Sequence, residues 1–303
     1  MIYFDSAATT LQKPPQVTRA MAFAMARYAN PGRSGHLPAR RAEEAVYRCR
    51  EKLGQMFQIS PERVCFTQNA THGLNIAIHT LVHTGDRVVI SGYEHNAVTR
   101  PLTLRKAEIV VAGRDLFQPE KAVEEFKVAM TPNTRAVILN HVSNVFGYVQ
   151  PLEEIAALCR ERGIPLIVDA SQSAGHLPLS MEQLGAAFIA MPGHKGLFGP
   201  QGTGILLCGV PGRPLLSGGS GSDSILQTMP DYLPDRLEAG THNVPGIAGL
   251  LAGLSYITQQ GREAIEARER ELLRLAVEGL SDEKGIELFS GPEGTQSGVL
   301  SLR

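Results

Sequence analysis

Short apolar runs recur along the chain at 64–67, 87–90, 108–111, 136–140, 165–168, 186–190 and 204–208. Each is apolar almost throughout rather than alternating, the pattern of strands covered on both faces, as in a parallel sheet. Between most of them the apolar positions shift to helical spacing, over 71–82, 95–106, 118–129 and 151–162. Two further helices precede the first run. One opens at Pro14-Pro15 and runs through Tyr28, with proline tolerated in its first turn; the other is polar and spans 38–56. The segment Asn30-Pro31-Gly32-Arg33-Ser34-Gly35-His36 breaks the chain between them. The helix from 151 ends on Arg160, Arg162 and Gly163, residues that suit a carbonyl terminus. A short strand is expected over 2–4. Strands alternating with helices in this way predict an α/β fold with a mostly parallel, seven-stranded sheet inside three layers.

Past Pro245 the character changes. A helix rich in small residues, 247–259, leads into a charged one, 262–280, and then into two short apolar runs near 285–289 and 298–302. The expected division is a large domain over 13–245, with 1–12 and 246–303 forming a smaller, partial α+β unit. Residues 217–222, SGGSGS, are flexible by composition and read equally well as a plain linker. No internal repeat is found.

Composition narrows the function more than the fold. Of 303 residues, 43% are hydrophobic and 19% charged, and the formal net charge is -1. So balanced a chain offers no electrostatic ground for binding nucleic acid or an anionic membrane. No apolar run reaches bilayer-spanning length, and the start is not a signal peptide. The four cysteines, Cys49, Cys65, Cys159 and Cys208, include no CxxC pair, so neither a disulfide framework nor a zinc site is expected. Cys159 and Cys208 fall in helix and strand patterns and read as buried thiols. A cytoplasmic protein with reduced thiols, and without a metal, is the expectation.

Candidate chemistry lies where strands end. The run 165–168 ends on Asp169, and the run 186–190 leads into Gly193-His194-Lys195. Adjacent parallel strands would bring this acid and this amine together at the carboxyl edge of the sheet, where open α/β folds bind ligands. The pair suits pyridoxal phosphate, whose aldehyde needs a lysine amine and whose ring nitrogen needs a carboxylate. Taken singly, Asp169 also reads as a helix N-cap and Lys195 as a solvated loop lysine. Thr67-Gln68-Asn69-Ala70-Thr71-His72-Gly73 joins a strand to a helix N-terminus and reads either as a phosphate cradle or as a plain cap. His95, in YEHN, alone reads as a polar residue opening a helix; Asn144 and Gln172 alone read as loop amides.

VDASQSAGH (168–176), GHKGLFGPQGTG (193–204), YFDSAATT (3–10) and EAGTHN (238–243) together resemble class V of the fold-type I pyridoxal phosphate enzymes. Within that class they are most similar to cysteine desulfurases and selenocysteine lyases, over nearly the whole chain. The resemblance implies a homodimer acting on a small amino acid, cleaving the C–S bond of L-cysteine to alanine and a persulfide that a sulfur-acceptor protein could draw on. Selenocysteine lyase, a class V aminotransferase, or a module that binds the cofactor without turnover are the alternatives. It makes Lys195 the cofactor lysine and returning base, Asp169 the ring-nitrogen partner, and His95 the ring stacked on the cofactor. Asn144 and Gln172 would bond the ring hydroxyl. Ala70, Thr71, His72 and His194 would hold the phosphate, and Thr241 would reach the phosphate of the neighbouring subunit. Pro192 stands where the family often has serine, so one phosphate contact is expected to be lost or replaced. Asn30, Arg33 and His36 would border the substrate entrance. Val299 to Arg303 reads as the opening of a strand where the family continues, so the chain is expected to be C-terminally truncated, with the nucleophilic cysteine and the substrate-carboxylate arginine beyond Arg303.

Overall fold

The computed structural model describes residues 2–32, 34–222 and 225–303. In chain order its elements are α1 (Pro15–Arg27), α2 (Leu37–Phe57), β1 (Val64–Thr67), α3 (Ala70–Leu81), β2 (Arg87–Ser91), α4 (Asn96–Leu104), β3 (Glu108–Ala112), α5 (Pro119–Ala129), β4 (Thr134–Asn140) and α6 (Leu152–Arg162). There follow β5 (Leu166–Asp169), α7 (Met181–Leu184), β6 (Phe188–Pro192), β7 (Gly204–Cys208), α8 (Val244–Gln260), α9 (Arg262–Leu280), β8 (Leu288–Phe289) and β9 (Ser301–Leu302).

All seven expected strands form one sheet in the order β1-β7-β6-β5-β4-β2-β3, with β7 alone antiparallel to its neighbours. The apolar runs are continuous because both faces are covered. Val88, Ile90, Ile138, Ile167 and Phe188 point into a core closed by α3 and α4. Val89, Val137, Leu139, Val168 and Ile189 point into the opposite core, closed by α2, α5, α6 and α8. That alternation is the two-residue repeat of a strand, and it yields the three expected layers. Gly163 ends α6 in the left-handed region, at φ 64°, where its N–H returns to the Arg160 carbonyl.

Register fixes the site. Asn140 pairs with Asp169, Asp169 with Ala190, and Pro192 with Gly204. β1, being parallel to β6, delivers the start of α3 to the same edge. Helix α8 packs along α1 and α2, and Met21 of α1 lies where a Cβ on Gly249 of α8 would stand.

One expectation is corrected, and one element is new. No strand forms over 2–4: Ile2 and Phe4 are 83% and 96% exposed, because β-prone residues without a partner ladder have nothing to pair with. The one-turn helix α7, capped by Ser180 on the Gln183 N–H, was not expected. The stretch 217–222 holds neither helix nor strand. After α9, the short β8–β9 hairpin pairs Leu288 with Leu302.

Candidate active site

The carboxyl ends of β4, β5 and β6 open into a cavity of about 370 Å³. Asp169, the last residue of β5, stands at its base; Lys195 comes from the loop after β6. That loop is held against the 168–176 segment by glycines. A Cβ on Gly196 would run into the Ala174 carbonyl, and one on Gly175 into the Gly196 carbonyl. The glycines of both motifs are therefore needed for close approach.

Asp169 is buried, and its Oδ1 accepts the Ser171 N–H at 2.9 Å. Burial pushes its carboxyl above the ordinary range, against the opposing pull of Ser171, Lys195 and His95. Burial likewise pushes the Lys195 amine down, opposed by Asp169 and Asp5. A lysine held low in this way has more of its neutral, nucleophilic form. His194 is also pushed down, by burial first and then by Lys195 and Lys13. The N-terminus of α3 forms another wall. Asn69 caps it by accepting the His72 N–H at 2.9 Å, and the first helical amides, at Ala70 and Thr71, have no intrahelical acceptor.

These residues fit pyridoxal phosphate. A buried carboxylate in an open cavity calls for a cationic N–H partner, which a protonated pyridine nitrogen would be. An amine faces the same space, and helix amides at the rim suit a phosphate. Pro192, with neither N–H nor hydroxyl, lines the cavity where the resemblance has serine.

Of the expected site residues, Ala70, Thr71, His95, Asn144, Asp169, Gln172, His194 and Lys195 all line this one cavity. His95 also caps α4, its Nδ1 accepting the Ala97 N–H at 3.0 Å, so both readings of it hold. His72 and Thr241 lie elsewhere, lining a second cavity of about 220 Å³ with Glu238 and His242. His72 is turned back so that Nδ1 accepts the Gln68 N–H at 3.4 Å. His36 caps α2 through the Ala39 N–H; neither it nor Asn30 lines the first cavity, and Arg33 lies outside the described residues.

Three features were not read from the sequence. Asp5, Ala7 and Ala8 form a wall of the cavity, tied down where Gln172 Nε2 donates to the Ala7 carbonyl at 3.0 Å. Asn140 also lines it; as the terminus of an apolar run beside β5, it was open to the rule that found Asp169. Behind it, the Glu94 carboxylate accepts from Ser91 Oγ at 2.6 Å and from the Asn140 N–H at 2.8 Å. Asn140 Nδ2 answers by donating to the Tyr93 carbonyl at 2.6 Å. Burial pushes the Glu94 carboxyl up to about 8.

The aminotransferase class V family profile matches residues 2–303. The chain belongs to this family. Family members use pyridoxal phosphate, the group for which the cavity is suited. A probable cysteine desulfurase of Pyrococcus abyssi is 33% identical, the alignment covering 100% of this chain and 78% of that protein. Another, from Methanothermobacter thermautotrophicus, is 34% identical over 99% of this chain and 77% of the relative. Among solved structures, the apo cysteine desulfurase of Thermococcus onnurineus superposes with a TM-score of 0.90 at 30% identity, covering 100% of this chain and 78% of that one. The Escherichia coli cysteine desulfurase CsdA, in an S-sulfonic acid form, gives 0.86 at 27% identity, over 98% of this chain and 77% of that one. The match to this fold extends along the whole sheet and both helical layers. No helix among the described residues is long and apolar enough to cross a membrane.

Proposed function

We propose that this chain binds pyridoxal 5'-phosphate in the 370 Å³ cavity and acts as a cysteine desulfurase, cleaving the C–S bond of L-cysteine to alanine, with the sulfur leaving as the outer sulfur of a persulfide on a nucleophilic thiol. The observation that carries the reading is the convergence of Asp169 and Lys195 on one cavity rimmed by the amides of α3. The curated relatives and structural neighbours named cysteine desulfurase support the choice of reaction.

When bound, the cofactor supplies a ring that withdraws electrons from the substrate α-carbon. Lys195 would hold it by the aldehyde carbon and would carry the proton at the substrate α-carbon. Asp169 keeps the ring nitrogen protonated. His95 would pack against the ring, and Asn144 and Gln172 would hold its hydroxyl. Ala70, Thr71 and His194 would hold the phosphate. Thr241 reaches the phosphate of a second copy, which makes the working unit a homodimer. The large unit is 13–245, with 1–12 and 246–303 forming the smaller one. The setting is cytoplasmic, with a protein as the final sulfur acceptor.

A second reading rests on the thiols. Cys49, Cys65, Cys159 and Cys208 are all buried, and none lines the cavity. Burial pushes Cys49, Cys65 and Cys159 up, Cys159 to about 12; for Cys65 the hydrogen bond from Cys208 is the larger cause. A thiol so held is a poor nucleophile, and all four are buried away from the cavity, so none is placed for persulfide formation there, and selenocysteine lyase or aminotransferase chemistry needs none. The test is the visible spectrum with added pyridoxal phosphate, before and after L-cysteine, with Lys195→Ala as control and alanine and keto acid assayed. A band that requires Lys195, responds to cysteine and yields alanine supports desulfuration. Keto acid in place of alanine supports the aminotransferase, and no band in the wild-type chain overturns the cofactor assignment.

A further inference from the structure

The loop that carries Lys195 is closed mostly on itself and its immediate neighbours. The Gly193 N–H donates to the Thr203 carbonyl at 2.8 Å, the Gly199 N–H to the Gly193 carbonyl at 2.8 Å, and the Phe198 N–H to the Lys195 carbonyl at 2.9 Å. The His194 carbonyl, whose carbon is bonded to the Lys195 nitrogen, differs: its partners come from the far end of the chain. Lys13 Nζ donates to it at 2.8 Å, Thr10 Oγ1 at 3.1 Å, the Thr10 N–H at 3.3 Å and Thr9 Oγ1 at 3.3 Å. A carbonyl oxygen has two lone pairs, so these donors saturate it, and the shortest bond is the charged one. Lys13 also donates to Thr10 Oγ1, and Thr9 Oγ1 lies 3.0 Å from His194 Nδ1.

We infer that Lys13 is a positioning residue: its ammonium, seated on the His194 carbonyl, straps the N-terminal segment across the cavity and fixes the peptide from which Lys195 extends. The strap has a rigid anchor, because Lys13 stands just before α1, and α1 packs along α8. It also holds the cavity wall. Asp5, Ala7 and Ala8 line the cavity and are tied from one side by Gln172 on the Ala7 carbonyl, from the other by Thr9, Thr10 and Lys13 on His194. Burial pushes the Lys13 amine down to about 8, as befits an amine withdrawn from water; the acceptor is given by the geometry above. A lysine that served only the solubility of the segment would point outward.

The inference deepens the proposed function, but its first test does not depend on it. Hydrogen exchange of the cofactor-free protein is followed for the amides of residues 193–198 in the wild type, Lys13→Met and Lys13→Arg. Loss of one charge-assisted hydrogen bond is expected to speed exchange there by about tenfold or more in Lys13→Met, while Lys13→Arg restores it and the β5 amides stay unchanged. Wild-type exchange in Lys13→Met overturns the strap. If that variant fails to fold, Thr10→Val, which removes one hydroxyl donor, makes the same comparison with a smaller effect, and unchanged exchange there is equally fatal. The second readout is the pH titration of the visible band with added pyridoxal phosphate. Its midpoint is expected to move in Lys13→Met and return in Lys13→Arg, and a midpoint common to all three overturns the link to Lys195. Absence of any band in the wild type breaks the cofactor reading instead and leaves the exchange result standing.

Discussion

Two buried acids at the same edge of the sheet meet opposite fates. Glu238 lines the second cavity, yet its carboxylate is fully engaged. It takes Arg50 through two bonds, at 2.6 and 2.8 Å, and the Phe66 N–H at 2.5 Å, with His242 Nε2 at 3.4 Å. Asp169 is as deeply buried but has only Ser171, through its side chain and its backbone N–H, and the more distant charges of Lys195 and His95. Burying a charge is costly unless it is paired. Glu238 meets that cost within the chain, and its task is to fix the 238–243 loop onto α2 and β1. Asp169 does not, and the partner it lacks is the kind of group a ligand would bring. The difference separates a charge that builds the fold from one that waits on chemistry.

The largest effect that would break this comparison belongs to Lys195. Lys195→Ala is expected to lower alanine formation from L-cysteine by on the order of 10³-fold or more and to abolish the visible band, with the thermal midpoint little changed. Loss of the fold instead of the band would make Lys195 structural. Next comes Asp169→Asn, expected to retain added cofactor by dialysis yet slow turnover by about 10²-fold or more. Near-normal turnover would remove Asp169 from the site.

The same two acids can be compared by stability alone. The Asp169 carboxyl is pushed up on folding, so the folded chain holds its proton more tightly than the unfolded one, and stability falls as pH rises from the ordinary carboxylate value through the folded one. In cofactor-free protein at neutral pH, Asp169→Asn is therefore expected to raise stability. Glu238→Gln should do the reverse, costing roughly 3–5 kcal/mol by leaving Arg50 buried with its charge unmatched. Urea unfolding of both variants measures this, and a shift of the same sign in both would dissolve the distinction.

The two acids were not equally legible in the sequence. Asp169 ends an uninterrupted apolar run, and any such run in a doubly wound sheet marks the ligand-binding edge. The strands were read for the same reason, since burial on both faces leaves nothing polar in them. Glu238 stood out only as part of EAGTHN, because its partner Arg50 lies in the middle of a charged helix that looked solvated. Asp5, Ala7, Ala8 and Lys13 were missed for a related reason. Their contacts reach residues such as His194 across most of the chain, and no local period announces such a contact. His72 shows the limit of reading by neighbourhood. At about 100° per residue, α3 turns Ala70 and Thr71 to the first cavity and carries His72 round to the second.

The smallest expected effect concerns the thiols. Cys65 and Cys208, 3.8 Å apart on neighbouring strands, and Cys49 under its helix are packing residues with no place in either cavity, while Cys159, also buried, borders a separate cavity beside Arg160 and Ile164. A thiol buried in the fold is shielded from reagent. Iodoacetamide on the native chain at neutral pH is therefore expected to leave all four unmodified by mass spectrometry, and to modify all four once the chain is unfolded in urea. Native labelling of any one would show that it opens to solvent, and would bring it back as a candidate for accepting sulfur. Protection of all four would mean that none of them takes up sulfur in the folded chain, so that the chemistry belongs to the acid and amine of the first cavity while the thiols, like Glu238, belong to the fold.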